Sequence, residues 1–446
     1  MDLDLDAIRP CLEGAIPGVM ATCAPDGTPN VTYVSQVEYV DARHLALSFQ
    51  FFNKTRHNVL AHPVAELLVV HPAHGGLYRL GVRYLRTETE GALFERMKAK
   101  LAGIASHTGM SGVFRLRGAD LYAVDQVQRV TEPRQLPPQT ALNRLAALRR
   151  CATRVAAAGD FDSLVELTLD GVVQDFGIRH ALLLLHDVPG QRLYTVASRG
   201  YGRSGAGAEI PLGAGVVGVA ARMATPIRIN HATLEYAYGR SMREGVPGER
   251  LAREIPLPGL ADPGSQLAVP LVCAGQLLGV LFVESPQELR FTWDDEDALV
   301  ALAAQVAALA HGFLACADAA PEDDPAGADA GMPATPAADP LRVRHYAADD
   351  SVFLDDDYLI KGVAGAVLWR LLSVHAAEGR VEFTNRELRL DPALGLPEVG
   401  DNLEARLALL TRRLADRQGA VRLERTGRGR FRLCLARPLQ LLHVPR

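Results

Sequence analysis

The sequence predicts a multidomain α+β protein: a small β-barrel, then a sheet layered with helices, then a helical unit that closes in a β-hairpin. Three observations predict it. The chain has 446 residues, 48% hydrophobic and 22% charged, which at roughly 100–200 residues per domain makes about three domains. Apolar residues alternate two by two near the start and recur every three to four residues further on, the periods of strands and amphipathic helices. Two breaks in composition divide the chain. Residues 317–340, ADAAPEDDPAGADAGMPATPAADP, carry six acidic residues, no basic one and little to bury, as a flexible linker does. The stretch TEPRQLPPQT at 131–140 holds three prolines. The expected pieces are therefore 1–130, a connector at 131–144, a middle domain at 145–316, the acidic linker at 317–340, and a last domain at 341–446.

Composition excludes several classes. The proportions are not those of a collagen-like, wholly disordered or disulfide-scaffold chain. Six cysteines (11, 23, 151, 273, 316 and 434) are scattered without C-x-x-C or metal-ligand spacing, so reduced thiols and a cytoplasmic location are expected. No run reaches the ~18 uninterrupted apolar residues of a membrane span. The acidic start MDLDLDAIRP lacks the charged n-region of a signal peptide. The net charge of −5 argues against attraction of the whole molecule to nucleic acid, though an average hides local patches.

In the first piece, GVMATCA leads through the turn PDGTPN to VTYVSQVEYV, then through DARH to LALSFQF. Asp26-Gly27 and Asp41-Ala42-Arg43 are hairpin-type connections between β-branched and aromatic runs. NKTRHNVLAHP reads as a short helix halted before Pro63. AELLVVHP is a strand, GALFERMKAKLAGIASHTG a helix, and VFRLRGADLYAVDQVQRV the closing strand.

The order, together with DGTPN after one strand and K-T-x-x-N-x-x-x-x-P after a later one, resembles the pyridoxamine 5′-phosphate oxidase-like FMN-binding split barrel over residues 8–130. The resemblance implies FMN at a dimer interface. Its phosphate would be held by Lys54 and Thr55, with Asn53 and Arg56 adjacent. Asn30, Thr32, Tyr33, Ser35 and Gln36 would approach the ring or ribityl chain. An ammonium, a hydroxyl and helix N-terminal amides suit a dianionic phosphate. True oxidases of the family use a basic segment after the barrel, and here a proline-rich connector follows Val130. No catalytic residue is assigned. Some split barrels hold haem, for which His57, His62, His71, His74 and His107 are the available ligands.

In the second piece, TALNRLAALRRCATRVAAA and FDSLVELTLDGVVQDFGI read as helices, HALLLLHDV and LYTVASRGY as strands, and EIPLGAGVVGVAARMATPIRI as loop, helix and strand. SQLAVPLVCAGQLLGVLFVES is a hairpin, and FTWDDEDALVALAAQVAALAHGF a helix capped by Thr292. Three of these signatures, IPLGAGVVGVAARMATPIRI, LAVPLVCAGQLLGVLFVES and FTWDDEDALVALAAQVA, resemble a GAF domain over about 145–315. The family implies an α/β sandwich that senses a small ligand and dimerises through its terminal helices, but the fold does not name the ligand. Residues 231–264 would form a polar lid. Cys273 lies in a hairpin, a poor place for a chromophore thioether.

In the third piece, short strands in HYAADDSVFLDDDYLIKG precede the helix VAGAVLWRLLSVHAAEG. Next come a short helix capped by Thr384 with Glu387 three residues on, a longer helix in DNLEARLALLTRRLADRQG, and a hairpin in VRLERTGRGRFRLCLA. That is the order of a winged helix-turn-helix, and it resembles the effector domain of OmpR-type response regulators over about 345–436. Residues 401–446 hold eleven arginines against four acids, a local balance of +7. The resemblance implies DNA binding, with Arg406, Arg412 and Arg413 facing the major groove and Arg428 and Arg430 on the wing.

These readings combine into a cytoplasmic, dimeric sensor-type transcriptional regulator that senses flavin or a small ligand and binds DNA. The alternatives are an FMN-dependent oxidoreductase regulated by its GAF domain, and a signalling scaffold whose winged helix binds protein. The acidic linker is expected to compete with DNA for the arginine face.

Overall fold

The computed structural model describes residues 4–13, 16–49, 54–107, 115–132, 142–230, 255, 257–261, 263–317, 339–394, 403–417, 420–427 and 429–445. A 3-10 helix, Asp6–Leu12, leads into the first sheet. Its strands are β1 (Gly18–Cys23), β2 (Pro29–Val34), β3 (Val37–Asp41), β4 (His44–Phe49), β5 (Val64–Val70), β6 (Leu77–Glu88) and β7 (Gly118–Arg129), in the order β2-β1-β5-β6-β7-β4-β3. Helices α1 (Lys54–Ala61) and α2 (Ala92–His107) join the strands.

Two features of this sheet depart from the sequence reading. VTYVSQVEYV is two strands, because the chain turns at Ser35-Gln36 and swings from one end of the sheet order to the other. The Gln36 carbonyl accepts the Ser48 N–H at 3.1 Å, which anchors that crossover. Residues 77–88 form a long strand that the sequence reading leaves unassigned. Arg79, Arg83 and Arg86 obscure its alternation, yet Tyr78, Leu80 and Val82 point into the core.

The second unit comprises α3 (Arg144–Val155), α4 (Phe161–Phe176), β8 (His180–Asp187), β9 (Arg192–Arg199), β10 (Glu209–Pro211), α5 (Gly215–Met223), β11 (Ile227–Ile229), β12 (Ser265–Cys273), β13 (Gln276–Ser285) and α6 (Trp293–Ala317). The sheet order is β10-β9-β8-β13-β12-β11. One face, with Leu183, Leu185, Val269, Leu281 and Val283, packs in a single core with α3, α4 and α6. The other face, with Leu182, Leu184, Ala268 and Phe282, packs with α5 and with Ala99 of α2. Gly103 of α2 sits so near Ile227 that an added Cβ would lie 2.5 Å from its Cγ2. Helix α6 starts as expected at Thr292: the Thr292 N–H donates to Asp295 Oδ2 at 2.9 Å, and the Asp295 N–H donates back to Thr292 Oγ1 at 3.4 Å. By length and composition α6 is apolar enough to cross a membrane. Its Leu299, Leu302, Ala303, Val306 and Ala307 are nevertheless buried in this unit's core.

The third unit has a sheet of β14 (Leu341–Tyr346), β15 (Ser351–Leu354), β16 (Asp357–Ile360) and β20 (Leu439–Val444), in which β20 runs parallel to β14. Helices α7 (Gly362–Glu378), α8 (Asn385–Leu390) and α9 (Leu403–Ala415) follow the first three strands. A second sheet, β17-β19-β18, joins β17 (Glu382–Thr384) to the hairpin of β18 (Val421–Gly427) and β19 (Arg430–Leu435). The Glu387 N–H donates to Thr384 Oγ1 at 3.2 Å, the expected cap of α8. Gly365 of α7 packs so closely on the turn before β15 that an added Cβ would lie 2.0 Å from the Asp350 carbonyl oxygen.

Candidate functional site

Two places gather the residues singled out from the sequence. The first is a cavity of about 330 Å3 in the N-terminal sheet, within the size of ordinary ligand pockets. Strands β1, β2, β4 and β7 supply Met20, Tyr33, Leu47, Phe49 and Tyr122, and α1 supplies Thr55, Arg56 and Val59. Of the residues expected to touch a flavin, Thr32, Tyr33, Ser35, Thr55 and Arg56 line this cavity. Asn30 sits behind it: its amide donates to Thr55 Oγ1 at 2.8 Å and so orients that hydroxyl. Asn58, which is fully buried, donates to Thr22 Oγ1 at 3.1 Å, which ties α1 to β1.

Three of the expected residues fall elsewhere. Gln36 is buried outside the lining, at the crossover between β2 and β3. Lys54 is exposed at the first residue of α1 and outside the lining. Asn53 lies outside the described residues. Arg56 faces the cavity, but not as an uncommitted phosphate cation. Its guanidinium makes a bidentate pair with Asp120, at 2.7 and 2.8 Å, and donates to Thr87 Oγ1 at 3.0 Å. It also stacks over the Phe49 ring, 3.9 Å from the centroid. A half-buried charge with a carboxylate partner is held in place by the fold. Sequence reasoning missed Asp120 because it lies 64 positions from Arg56 and pairs with it only across the barrel. Tyr122 completes the wall, with its phenol pushed far above the ordinary range by burial and then by nearby Asp120.

Among the described residues, no histidine lines this cavity. His57 and His62 are exposed. His71 and His74 stack on each other, ring centroids 3.5 Å apart, in the connection between β5 and β6. None of these four lines the cavity, and nothing of the His107 side chain is described. Among the described residues no cluster of His, Cys, Asp or Glu could hold a metal ion. Burial pushes the Cys11 and Cys151 thiols up to about 12, which makes both poor nucleophiles.

The second place is the face that α9 presents to the middle unit. Arg406 pairs with Asp187 at 2.9 Å and lies over the Tyr194 ring, 4.3 Å from its centroid. Arg412 reaches Asp162 at 2.6 Å and Glu166 at 2.9 Å. Arg425 of β18 pairs with Asp160 at 2.6 Å and also with Glu404. The expectation that Arg406, Arg412 and Arg413 face solvent, ready for a groove, is therefore corrected: the first two are spent on α4 and on the β8 end of the middle sheet. Arg413 is buried and donates twice to the Leu359 carbonyl, at 2.9 and 3.1 Å, so it holds α9 to β16. Arg430 borders a cavity of about 190 Å3 between α4 and the hairpin. Arg428 lies outside the described residues, as do residues 318–338 of the acidic linker and 231–254 of the expected lid.

Burial pushes the Glu166 carboxyl up, but hydrogen bonds from Arg199 and Arg412 outweigh it and hold the group below its ordinary value. The same opposition, with Ser163 and Arg425 as donors, holds Asp160 low.

Two family models match the chain. The family model described as pyridoxamine 5′-phosphate oxidase matches residues 5–124, and the GAF domain model matches residues 158–310. No curated protein matches the chain. Among solved structures, the GAF domain of a phosphoenolpyruvate-protein phosphotransferase from Acinetobacter is 22% identical, covers 42% of this chain and 100% of its own, and has a TM-score of 0.31. A free methionine-R-sulfoxide reductase from Neisseria meningitidis is 19% identical, covers 41% of this chain and 96% of its own, with a TM-score of 0.32. An FMN-binding protein from Syntrophomonas wolfei is 18% identical, covers 29% of this chain and 92% of its own, with a TM-score of 0.23. The chain thus joins an N-terminal pyridoxamine 5′-phosphate oxidase-like domain to a GAF domain, and a further α+β unit follows them.

Proposed function

We propose that the protein is a cytoplasmic sensor whose N-terminal domain binds FMN or a similar planar ligand, and whose C-terminal unit is a winged helix that binds DNA. The observation that carries the sensor reading is the cavity of about 330 Å3, which brings Tyr33, Phe49 and Tyr122 beside the start of α1. The residues present suit FMN. The aromatic and aliphatic walls would take the ring. Thr55 and the first amides of α1 would take the phosphate, and Arg56, neutralised by Asp120, would pack rather than supply net charge. A bound flavin would supply a redox-sensitive group. Two further features agree with a site completed by a second protomer: Tyr33 and Val31, on the end strand of the sheet, are 80% and 67% exposed.

The winged-helix reading is supported by the succession of strands, three helices and a hairpin at residues 341–444, and by the local charge balance of +7 over residues 401–446. A protein-binding winged helix in a signalling scaffold is the second reading. It is favoured by one observation, that α9 already packs on the GAF domain.

An absorbance spectrum and mass spectrum of the purified chain test the sensor reading. Flavin bands, and their loss in Thr55→Val with the fold retained, are expected. Full flavin stoichiometry in that variant would refute the phosphate assignment. Turnover of NAD(P)H by the yellow protein would instead favour an FMN-dependent oxidoreductase.

A further inference from the structure

The acids that meet α9 form a strip on the GAF domain: Asp162 and Glu166 on α4, Asp160 at its cap, and Asp187 at the end of β8. Each is paired to an arginine of the C-terminal unit. Two further polar contacts flank them. Lys361 pairs with Glu209 at 3.1 Å, and Ser204 Oγ donates to Asp416. Between them Leu409 lies near Gly207, where an added Cβ would stand 3.8 Å from the Leu409 Cδ1. The strip therefore offers the α9 arginines a row of carboxylates, the same kind of partner that a phosphate backbone offers.

We infer that this strip is an internal docking surface that occupies the α9 arginines in competition with duplex DNA, so that the chain as described is the closed form of the regulator. The inference rests on the DNA-binding reading above and adds how that site is governed. It replaces the acidic linker with a defined competitor. The contact suits release. The Asp162 and Glu166 side chains are 45% and 40% exposed, so water and salt reach them and their pairs are weak one by one; the Arg406–Asp187 pair, 11% and 12% exposed, is the part of the strip that holds hardest. A cavity of about 190 Å3, lined by α8, α9 and the hairpin, opens beside Asp162 at one edge of the contact. A shift of α4 caused by a ligand in the GAF domain would part several pairs together and expose a basic helix.

The test uses the full chain and a fluorescent duplex of mixed sequence at low salt, where phosphate attraction is strongest. Asp162→Asn combined with Glu166→Gln and Asp187→Asn removes the strip's charge at near-constant shape. Asp162→Asn alone, at a half-exposed site, serves if the triple variant does not fold. Small-angle scattering of the same samples reports whether the C-terminal unit separates. We expect a larger radius of gyration and DNA binding about tenfold tighter or more in the triple variant, with a smaller gain in the single one. Equal binding by wild type and variants overturns the competition and leaves DNA binding standing. No binding by any of them overturns the DNA reading, and the inference with it. In that case a larger radius in the variant still shows that the strip holds the C-terminal unit, and an unchanged radius removes the docking role too.

Discussion

The GAF domain meets its two neighbours through seams of different chemistry. Towards the N-terminal domain, Arg228 is only 8% exposed and lies between Glu13 of that domain and Glu296 of α6, 2.8 Å from the latter. Beside this triad Arg9 stacks over Trp293 at 3.9 Å, and Gly103 meets Ile227. Towards the C-terminal unit, the acids that meet Arg412 are half-exposed and a cavity remains. A buried pair resists separation because parting it leaves a desolvated charge. Solvent-exposed pairs part at small cost. Both seams hold a buried pair, since Arg406 and Asp187 are 11% and 12% exposed; the difference lies in the half-exposed acids around Arg412, and it teaches that this edge of the C-terminal seam is where the two bodies part most readily.

The sharpest way to break that comparison is to remove Arg228. Arg228→Met should strand Glu13 and Glu296 in a buried seam and cost about 3–5 kcal/mol. Urea unfolding monitored at Trp293 would read it. Burial already pushes the Glu13 carboxyl up, against the opposing pull of Arg228. Without the arginine that carboxyl takes up a proton more readily, so the loss should shrink between pH 7 and pH 5. A loss below about 1 kcal/mol at pH 7 would put this seam in the same class as the other. Gly103→Val tests the apolar part. The new methyls meet Ile227, and overpacking of that kind costs about 1–3 kcal/mol. It should lower the melting temperature without freeing the C-terminal unit.

Arg412→Gln should have the smaller effect. Its partners are half-exposed, so unfolding should change by no more than about 1 kcal/mol. Proteolysis between the GAF domain and the C-terminal unit should nevertheless accelerate, and more so at high salt, because screening weakens the pairs that remain. An unchanged cleavage rate would mean that Leu409 and its apolar neighbours hold the seam.

How far the sequence anticipated this arrangement follows from where each signal lies. Local signals were legible. The Thr292 cap, the helix at Lys54–Ala61 and the hairpin around Gly427 and Gly429 all rest on residues a few positions apart. So did Thr32, Tyr33, Ser35, Thr55 and Arg56 as one site, since two neighbouring segments carry them. Long-range pairings were not legible. Arg56 and Asp120, Arg406 and Asp187, and Arg412 and Glu166 are brought together only by packing. An arginine on a helix has the same local signature whether it faces DNA or a carboxylate of its own chain. Strand β20 was missed for the same reason, because its partner β14 lies about a hundred residues earlier.

The mildest probe of the two seams is acid. Glu166 is held below its ordinary pKa in the folded chain, since its hydrogen bonds from Arg199 and Arg412 outweigh burial. The stability from such a group is fully present above the unfolded value, about 4.3. It is lost as pH falls through the folded value. Asp160 behaves alike, with Arg425 as one of its donors. Glu13 goes the other way: its value is raised, so lowering the pH neutralises a charge that burial already disfavours. Acidification from about pH 4.3 downward, through the lowered values of Glu166 and Asp160, should therefore loosen the C-terminal unit while the N-terminal seam stays closed. Hydrogen exchange on the two faces of the GAF domain would read both at once. Protection should fall first along α4 and α9, and persist along α2 and β11. Simultaneous loss on both faces would remove the distinction between the seams, because it would show that the exposed carboxylates of α4 are no easier to part from their arginines than Glu13 is from Arg228.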